Sequence, residues 1–279
     1  MIKKIEDAAM PLTISSLKTA FKQLGVEPGM TILLHSSLSS LGWVCGGAVA
    51  VILDIEEILG EQATLVMPTF STNLSDPSKW QNPPVPESWW DTIRQEMPCY
   101  DPELTPTRGV GVIPETFRKQ RGIIRSTHPH ISFAARGRQA KYITENYALN
   151  YPFGDNPPLG RIYELDGWVM LMGTNYNTNS SFHLAEYRAK YPGKIVEYHH
   201  APIKVNNCRQ WLNMEDFNSF DNNFNKIGAS FERDFPEKTR IATIGKAVTK
   251  LIRQRDIVDY AVAWLSNNTN PLKTSALLS

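Results

Sequence analysis

The sequence predicts an α/β protein, one layered α/β/α domain over residues 1–279 built on a central mixed sheet. Three observations carry that expectation. The opening third alternates amphipathic helical periods with short apolar runs. An apolar run ended by glycine, Trp168-Val-Met-Leu-Met-Gly173, leads through a Thr/Asn/Ser cluster into a helical stretch. The chain then closes on a strand pattern and a long helical one.

Taken in order, Ile14, Leu17, Phe21 and Leu24 recur at helical spacing, with Thr13 as N-cap and Gly25 as stop. Pro28-Gly29 marks a turn before a buried strand at Thr31–Leu34. A loop rich in serine and glycine, from His35 to Gly47, precedes a helix over Ala48–Leu59 and a second strand at Thr64–Met67. Residues 70–106 are rich in proline and tryptophan, with one short helical candidate near Glu87–Glu96. A segment of that length reads as a lid or binding loop, whose Trp80, Trp89 and Trp90 either line a pocket or anchor the loop. A helix follows Thr105-Pro-Thr-Arg-Gly-Val-Gly111, then a turn and strand over Ser126–Ala135, then a helix over Arg138–Tyr147. Beyond the strand at Trp168, short strands are expected near Ile195–Tyr198, Ile203–Val205 and Arg209–Leu212. The part from residue 199 ends in a strand at Arg240–Ile244 and a helix over Lys246–Leu265, on the spacing of Val248, Leu251, Ile252, Val258 and Ala261.

Composition narrows the classes. With 29 basic and 28 acidic residues in 279, the net charge of +1 gives no electrostatic case for nucleic acid or an anionic membrane. Cys45, Cys99 and Cys208 show no metal-ligand spacing and suit a reducing compartment. Met1 to Asp7 lacks the apolar run of a signal peptide, and no stretch reaches the roughly 18 apolar residues of a membrane span. A cytoplasmic protein is expected, its oligomeric state open.

Two stretches carry the chemistry. Thr178-Asn-Ser-Ser-Phe-His-Leu-Ala-Glu-Tyr-Arg188 places His183 in the first turns of a helix leaving a buried strand, with Glu186 three residues on and on the same face. That is the address of a base with an orienting carboxylate. It also fits a partly buried histidine bonded to a nearby acid, and H-x-x-E is too short to separate the two. The serine loop suits a phosphate or an amide-bearing cofactor arm, or an ordinary capped turn. It is neither a P-loop nor a dinucleotide fingerprint. Thr107, Arg108 and Gly109 either hold a phosphate or simply start a helix. His128 and His130, two apart, suit one side of a strand and hydrogen bonding better than metal ligation, since no third ligand has matching spacing.

The motifs His35-Ser-Ser-Leu-Ser-Ser-Leu-Gly42 with Gly46-Gly47, Met67-Pro-Thr-Phe70, Thr105-Pro-Thr-Arg-Gly109, His128-Pro129 with Ser132-Phe133, and Phe182-His-Leu-Ala-Glu-Tyr187 resemble the aminoglycoside 3-N-acetyltransferase family. The resemblance covers Thr13 to Tyr198 and fades beyond. It implies an α/β fold that binds acetyl-CoA, without metal, and acetylates an amine of an aminoglycoside, typically the 3-amino group of 2-deoxystreptamine. By that resemblance His35, Ser36, Ser37, Leu38, Ser39 and Ser40 hold the pantetheine arm, and Thr107, Arg108 and Gly109 help hold the phosphates. His183 is the catalytic histidine, Glu186 lies near the acceptor, and Ser180 stands where the family has threonine. His130 has no counterpart in the family pattern.

The chemistry is consistent. A thioester needs chiefly a neutral, well-placed amine, and imidazole titrates near neutrality, so a histidine can take the proton during direct attack. Serine-loop N–H groups or the Ser180 hydroxyl are candidates for the oxygen that gains charge. The alternatives are a different amine acceptor, or a metal-dependent hydrolase built from His128, His130, His183 and Glu186.

Overall fold

The computed structural model describes residues 10–219 and 221–268, so the lead-in Met1 to Asp7 lies outside the described residues. Helix α1 (Ile14–Leu24) starts where Thr13 accepts from the Ser16 N–H and Ser16 accepts from the Thr13 N–H, at 3.3 and 2.9 Å. Gly25 at φ +90° closes it. Leu17, Phe21 and Leu24 are buried, whereas Ile14, in the same period, is half exposed. Next come β1 (Thr31–Ser36), a four-residue α2 (Leu38–Leu41), α3 (Gly47–Leu59) and β2 (Thr64–Pro68). The 70–106 segment holds α4 (Trp90–Glu96) and is cross-tied by the Arg94–Asp76 ion pair at 2.9 Å. Trp80 donates to Ser75 and Arg94 sits over Trp90, so these tryptophans anchor the loop.

After it come α5 (Val112–Phe117), β3 (Ile124–Arg125), β4 (Phe133–Gly137), α6 (Ala140–Thr144), α7 (Pro158–Glu164), β5 (Trp168–Met172) and α8 (Ser181–Arg188). The last part comprises β6 (Val196–Val205), β7 (Cys208–Phe217), α9 (Phe224–Asp234), β8 (Thr239–Ile244), β9 (Ala247–Arg253) and α10 (Gln254–Asn268). Seven strands form one mixed sheet in the order β3-β4-β2-β1-β5-β9-β8, in which β2, β1 and β5 run parallel and the remaining pairings are antiparallel.

Strand alternation sorts the core into two layers. Ile32, Leu34, Leu65, Met67, Met170 and Met172 pack with α1, α3 and α5. Leu33, Val66, Val169 and Leu171 pack on the other face, with apolar residues of α6 to α10. The α/β/α expectation is met.

Two local expectations are corrected, and one helix is new. The helix expected over Lys246–Leu265 begins only at Gln254, because residues 247–253 are the strand β9. Gly245 at φ +60° turns the chain back on β8, and a Cβ there would lie 2.2 Å from the Leu41 carbonyl oxygen. Ala247, Thr249 and Leu251 then face inward while Val248 is exposed, a period of two. The three short strands expected after residue 195 are one long hairpin, β6 paired with β7 through its length. Asn206 and Asn207, both at positive φ, make its two-residue turn. The Asn-rich stretch before residue 226 runs into an unexpected helix, α9, whose Phe224, Ile227 and Phe231 are buried on one side. No described helix is long and apolar enough to cross a membrane.

Candidate active site

β1 and β5 are parallel neighbours, yet β1 leads on through α2 and α3 to β2 on its opposite side. A crevice therefore opens beyond their carboxyl ends, where chains of this topology bind ligands. Ser37 N–H bonds to the Met172 carbonyl at 2.9 Å, tying the serine turn to the end of β5. Gly173, at φ +66°, makes room: a Cβ there would lie 2.7 Å from Ser40 Cβ and 3.0 Å from Ala247 Cβ. His35 falls on the same strand face as Leu33, toward α8. Its Nε2 accepts the Ser180 N–H at 3.4 Å. Burial, with His183 nearby, lowers His35 to about 3, so the ring is neutral and acts as a fastener between β1 and α8.

The crevice is a cleft of about 520 Å³. From the serine turn, His35, Ser36, Ser37, Leu38 and Ser39 line it; Phe70, Gly109–Val112 and Thr174 form its walls; Asn179, Ser180 and His183 close it. His183 Nδ1 is 2.7 Å from Glu186 Oε2. The Glu186 side chain is 3% exposed and that of His183 21%, so the acid is sealed beneath an imidazole that still reaches the cleft. Phe153 stacks on the His183 ring at 4.3 Å and Phe224 meets its edge at 5.0 Å. With Nδ1 donating to the carboxylate, Nε2 is the ring nitrogen left as an acceptor.

The remaining expected residues divide. Ser40 does not line the cleft; its hydroxyl donates to Ser37 Oγ at 2.8 Å, bracing the turn. Thr107 spends both its N–H and its hydroxyl on Glu115 Oε2, at 2.9 and 2.8 Å, and Arg118 holds that carboxylate well below the usual range after burial is offset. Arg108 is exposed and reaches the Asn82 carbonyl. Of that trio only Gly109 lines the cleft.

His128 and His130 sit in a loop, not on a strand. His128 Nδ1 accepts from the His130 and Ile131 N–H groups, and its Nε2 faces the Leu149 carbonyl at 3.1 Å. Neither nitrogen of His128 is left for a metal. His130 Nε2 faces the Leu74 carbonyl at 3.0 Å. Burial lowers the two rings to about 3 and about 4.

Beside this loop lies a second cavity of about 740 Å³, lined by both histidines and by Pro152, Asp76, Glu197, Glu215 and Asp216. Pro152 of its wall is followed by Phe153, which stacks on His183. Burial raises Asp216, which accepts from Tyr187 and from its neighbour's Phe217 N–H.

The model of the aminoglycoside 3-N-acetyltransferase family matches residues 33–266. The chain belongs to this family. Among aminoglycoside 3-N-acetyltransferase relatives, it is 41% identical to the Bacillus subtilis SPbeta prophage-derived aminoglycoside N(3')-acetyltransferase-like protein YokD, over 96% of this chain and 97% of that one. The YokD crystal structure superposes with a TM-score of 0.93, covering 96% of this chain and 98% of the other. Aminoglycoside N(3)-acetyltransferase VII of Streptomyces paromomycinus is 33% identical, over 91% and 92%. A solved structure described as AAC-IIIb binary with CoASH is 26% identical, with a TM-score of 0.83 over 94% of this chain and 98% of that one.

Within this aminoglycoside 3-N-acetyltransferase chain, the structure adds residues that sequence reasoning missed. Phe153 lies in an irregular loop whose composition says only that it turns. Asn179 reads as helix-capping chemistry, which it performs, while the residue also belongs to the cleft wall and its Nδ2 has no partner among the described residues. Glu197, Glu215 and Asp216 gather only because the β6–β7 register sets Glu197 opposite Asp216.

Proposed function

We propose that the protein transfers an acetyl group from acetyl-CoA directly to an amine of an aminoglycoside, at the 3-amino group of 2-deoxystreptamine, with His183 as general base. One observation carries the reading: an imidazole backed at 2.7 Å by a sealed carboxylate shares a cleft with the serine turn. The residues present fit a thioester with an amide-bearing arm. Ser36 Oγ and Thr174 Oγ1 are buried, lack hydrogen-bond partners among the described residues, and belong to residues that line the cleft. Ser36–Ser39 and Gly109–Val112 would hold the arm, and acetyl-CoA supplies an activated acetyl group. A relative described as a CoASH complex supports the assignment.

The second cavity suits the acceptor. Glu197, Glu215 and Asp216 in its wall, beside an Asp76 already paired with Arg94, would attract a polycationic amine and set it against His183. Glu186 fixes the proton of His183 on Nδ1, so Nε2 is free to accept a proton as the amine attacks. Its burial supports an orienting role over a direct hold on the acceptor.

The test is His183→Ala, followed by thiol release from acetyl-CoA with an aminoglycoside panel and by calorimetric CoA binding. Turnover falls on the order of 10²–10⁴-fold while CoA binding is kept. Near-normal turnover in the variant would remove His183 from the mechanism.

A further inference from the structure

The first turn of α8 has four backbone N–H groups that normally make a helix start an anion site. Here all are taken. Ser180 N–H goes to His35 Nε2, Ser181 N–H to Asn179 Oδ1 at 3.1 Å, Phe182 N–H to the Asn179 carbonyl at 3.1 Å, and His183 N–H to the Ser180 carbonyl at 3.0 Å. One N–H donor at this helix start remains unspent: the Asn179 side-chain Nδ2. Asn179 is 0% exposed, its Nδ2 has no hydrogen-bond partner among the described residues, and the residue lines the cleft together with His183. Because Oδ1 is pinned by the Ser181 N–H, the amide plane is fixed and Nδ2 must lie on the other side. A buried donor left without a partner is costly, and such groups mark places where something else supplies the acceptor.

We propose that the Asn179 side-chain amide donates to the acyl oxygen of the bound thioester as that oxygen gains negative charge. The inference rests on the acetyl-transfer reading. In the step concerned, the lone pair of the neutral amine forms the new N–C bond and the C=O π pair moves onto oxygen, toward Asn179 Nδ2. As that pair returns, the C–S bond breaks and its electrons leave on sulfur. The amine's proton passes to His183 Nε2 and then to the sulfur, giving the amide and free thiol. A fixed donor aimed where charge develops costs no reorientation during reaction, unlike a hydroxyl that must turn.

Two substitutions test it. Asn179→Ala removes the donor and the Ser181 acceptor, while Asn179→Asp keeps an oxygen for Ser181 N–H and puts a second carboxyl oxygen in place of the donor. Both are expected to lower kcat on the order of 10²-fold, as loss of one such donor does elsewhere. Calorimetric affinity for CoA, which has no acyl oxygen, stays at the wild-type value in both variants. Wild-type kcat in either variant, recovery of kcat in the aspartate variant alone, or a parallel loss of CoA affinity overturns the proposal. A wild-type protein that releases no thiol from acetyl-CoA with any aminoglycoside sinks the transfer reading and this inference together. Wild-type turnover with undiminished variants sinks the inference alone.

Discussion

At the scale of single residues, His183 and Glu186 divide one task. The imidazole is reachable from the cleft, and the carboxylate beneath it is almost wholly enclosed. Replacing Glu186 by glutamine keeps the volume and an oxygen that accepts from Nδ1, and removes only the charge. Under the proposed mechanism, Glu186→Gln lowers kcat less than His183→Ala does and leaves CoA affinity unchanged; steady-state kinetics beside calorimetry checks both. An unchanged kcat would show that the buried charge is irrelevant to proton transfer. The pair was legible beforehand because i and i+3 always share a helix face. Asn179 was not, since a capping role already accounted for it, and only coordinates reveal its second, unspent group.

At the scale of elements, the cleft depends on how closely the serine turn approaches the end of β5. Gly173 sets that approach. Gly173→Ala forces a left-handed backbone onto a residue with a Cβ and drives that Cβ against Ser40 and Ala247. The expected destabilisation is about 1–3 kcal/mol, read as a melting temperature lower by several degrees, with a raised KM for acetyl-CoA as the turn is displaced. An unchanged melting temperature would mean that the turn moves aside without strain. Local pattern succeeded for α1, β1, α3, β2 and β5, where caps, glycines and apolar periods agree. It failed at residues 247–253, where Val248, Leu251 and Ile252 fit a helical spacing while the Gly245 turn enforces a strand. Pairing with β5 and β8 decides that case, and pairing is not written in any single segment.

At the scale of the whole molecule, three neutral imidazoles are built into the interior. His35, His128 and His130 are lowered from 6.5 to about 3, about 3 and about 4, chiefly by burial. A base with a depressed folded pKa contributes stability that is complete above its unfolded value of 6.5 and is lost as pH falls toward the folded value. At pH 5 each contributes on the order of 2 kcal/mol less than at neutrality. Asp54 works the other way: burial raises it from 3.8 to about 6, so acid relieves its penalty. Burial raises Glu56 and Asp216 as well, so these carboxyls offset part of the loss from the three imidazoles. Thermal melts should therefore drop between pH 7 and pH 5, with a net uptake of protons on unfolding; a flat profile would contradict the neutral interior.

The β6–β7 hairpin stands apart from the seven-stranded sheet, and the 70–106 segment grips it through Arg209 on the Met97 and Arg94 carbonyls and through Tyr100 N–H on the Pro202 carbonyl. Three of the four acidic side chains of the second cavity ride on that hairpin and the fourth on the segment that grips it. Under the proposed reading, recognition and reaction are housed in separable pieces. Grafting the two surface segments as a matched pair from a relative would exchange the range of amines admitted while leaving the serine turn and His183 where they stand.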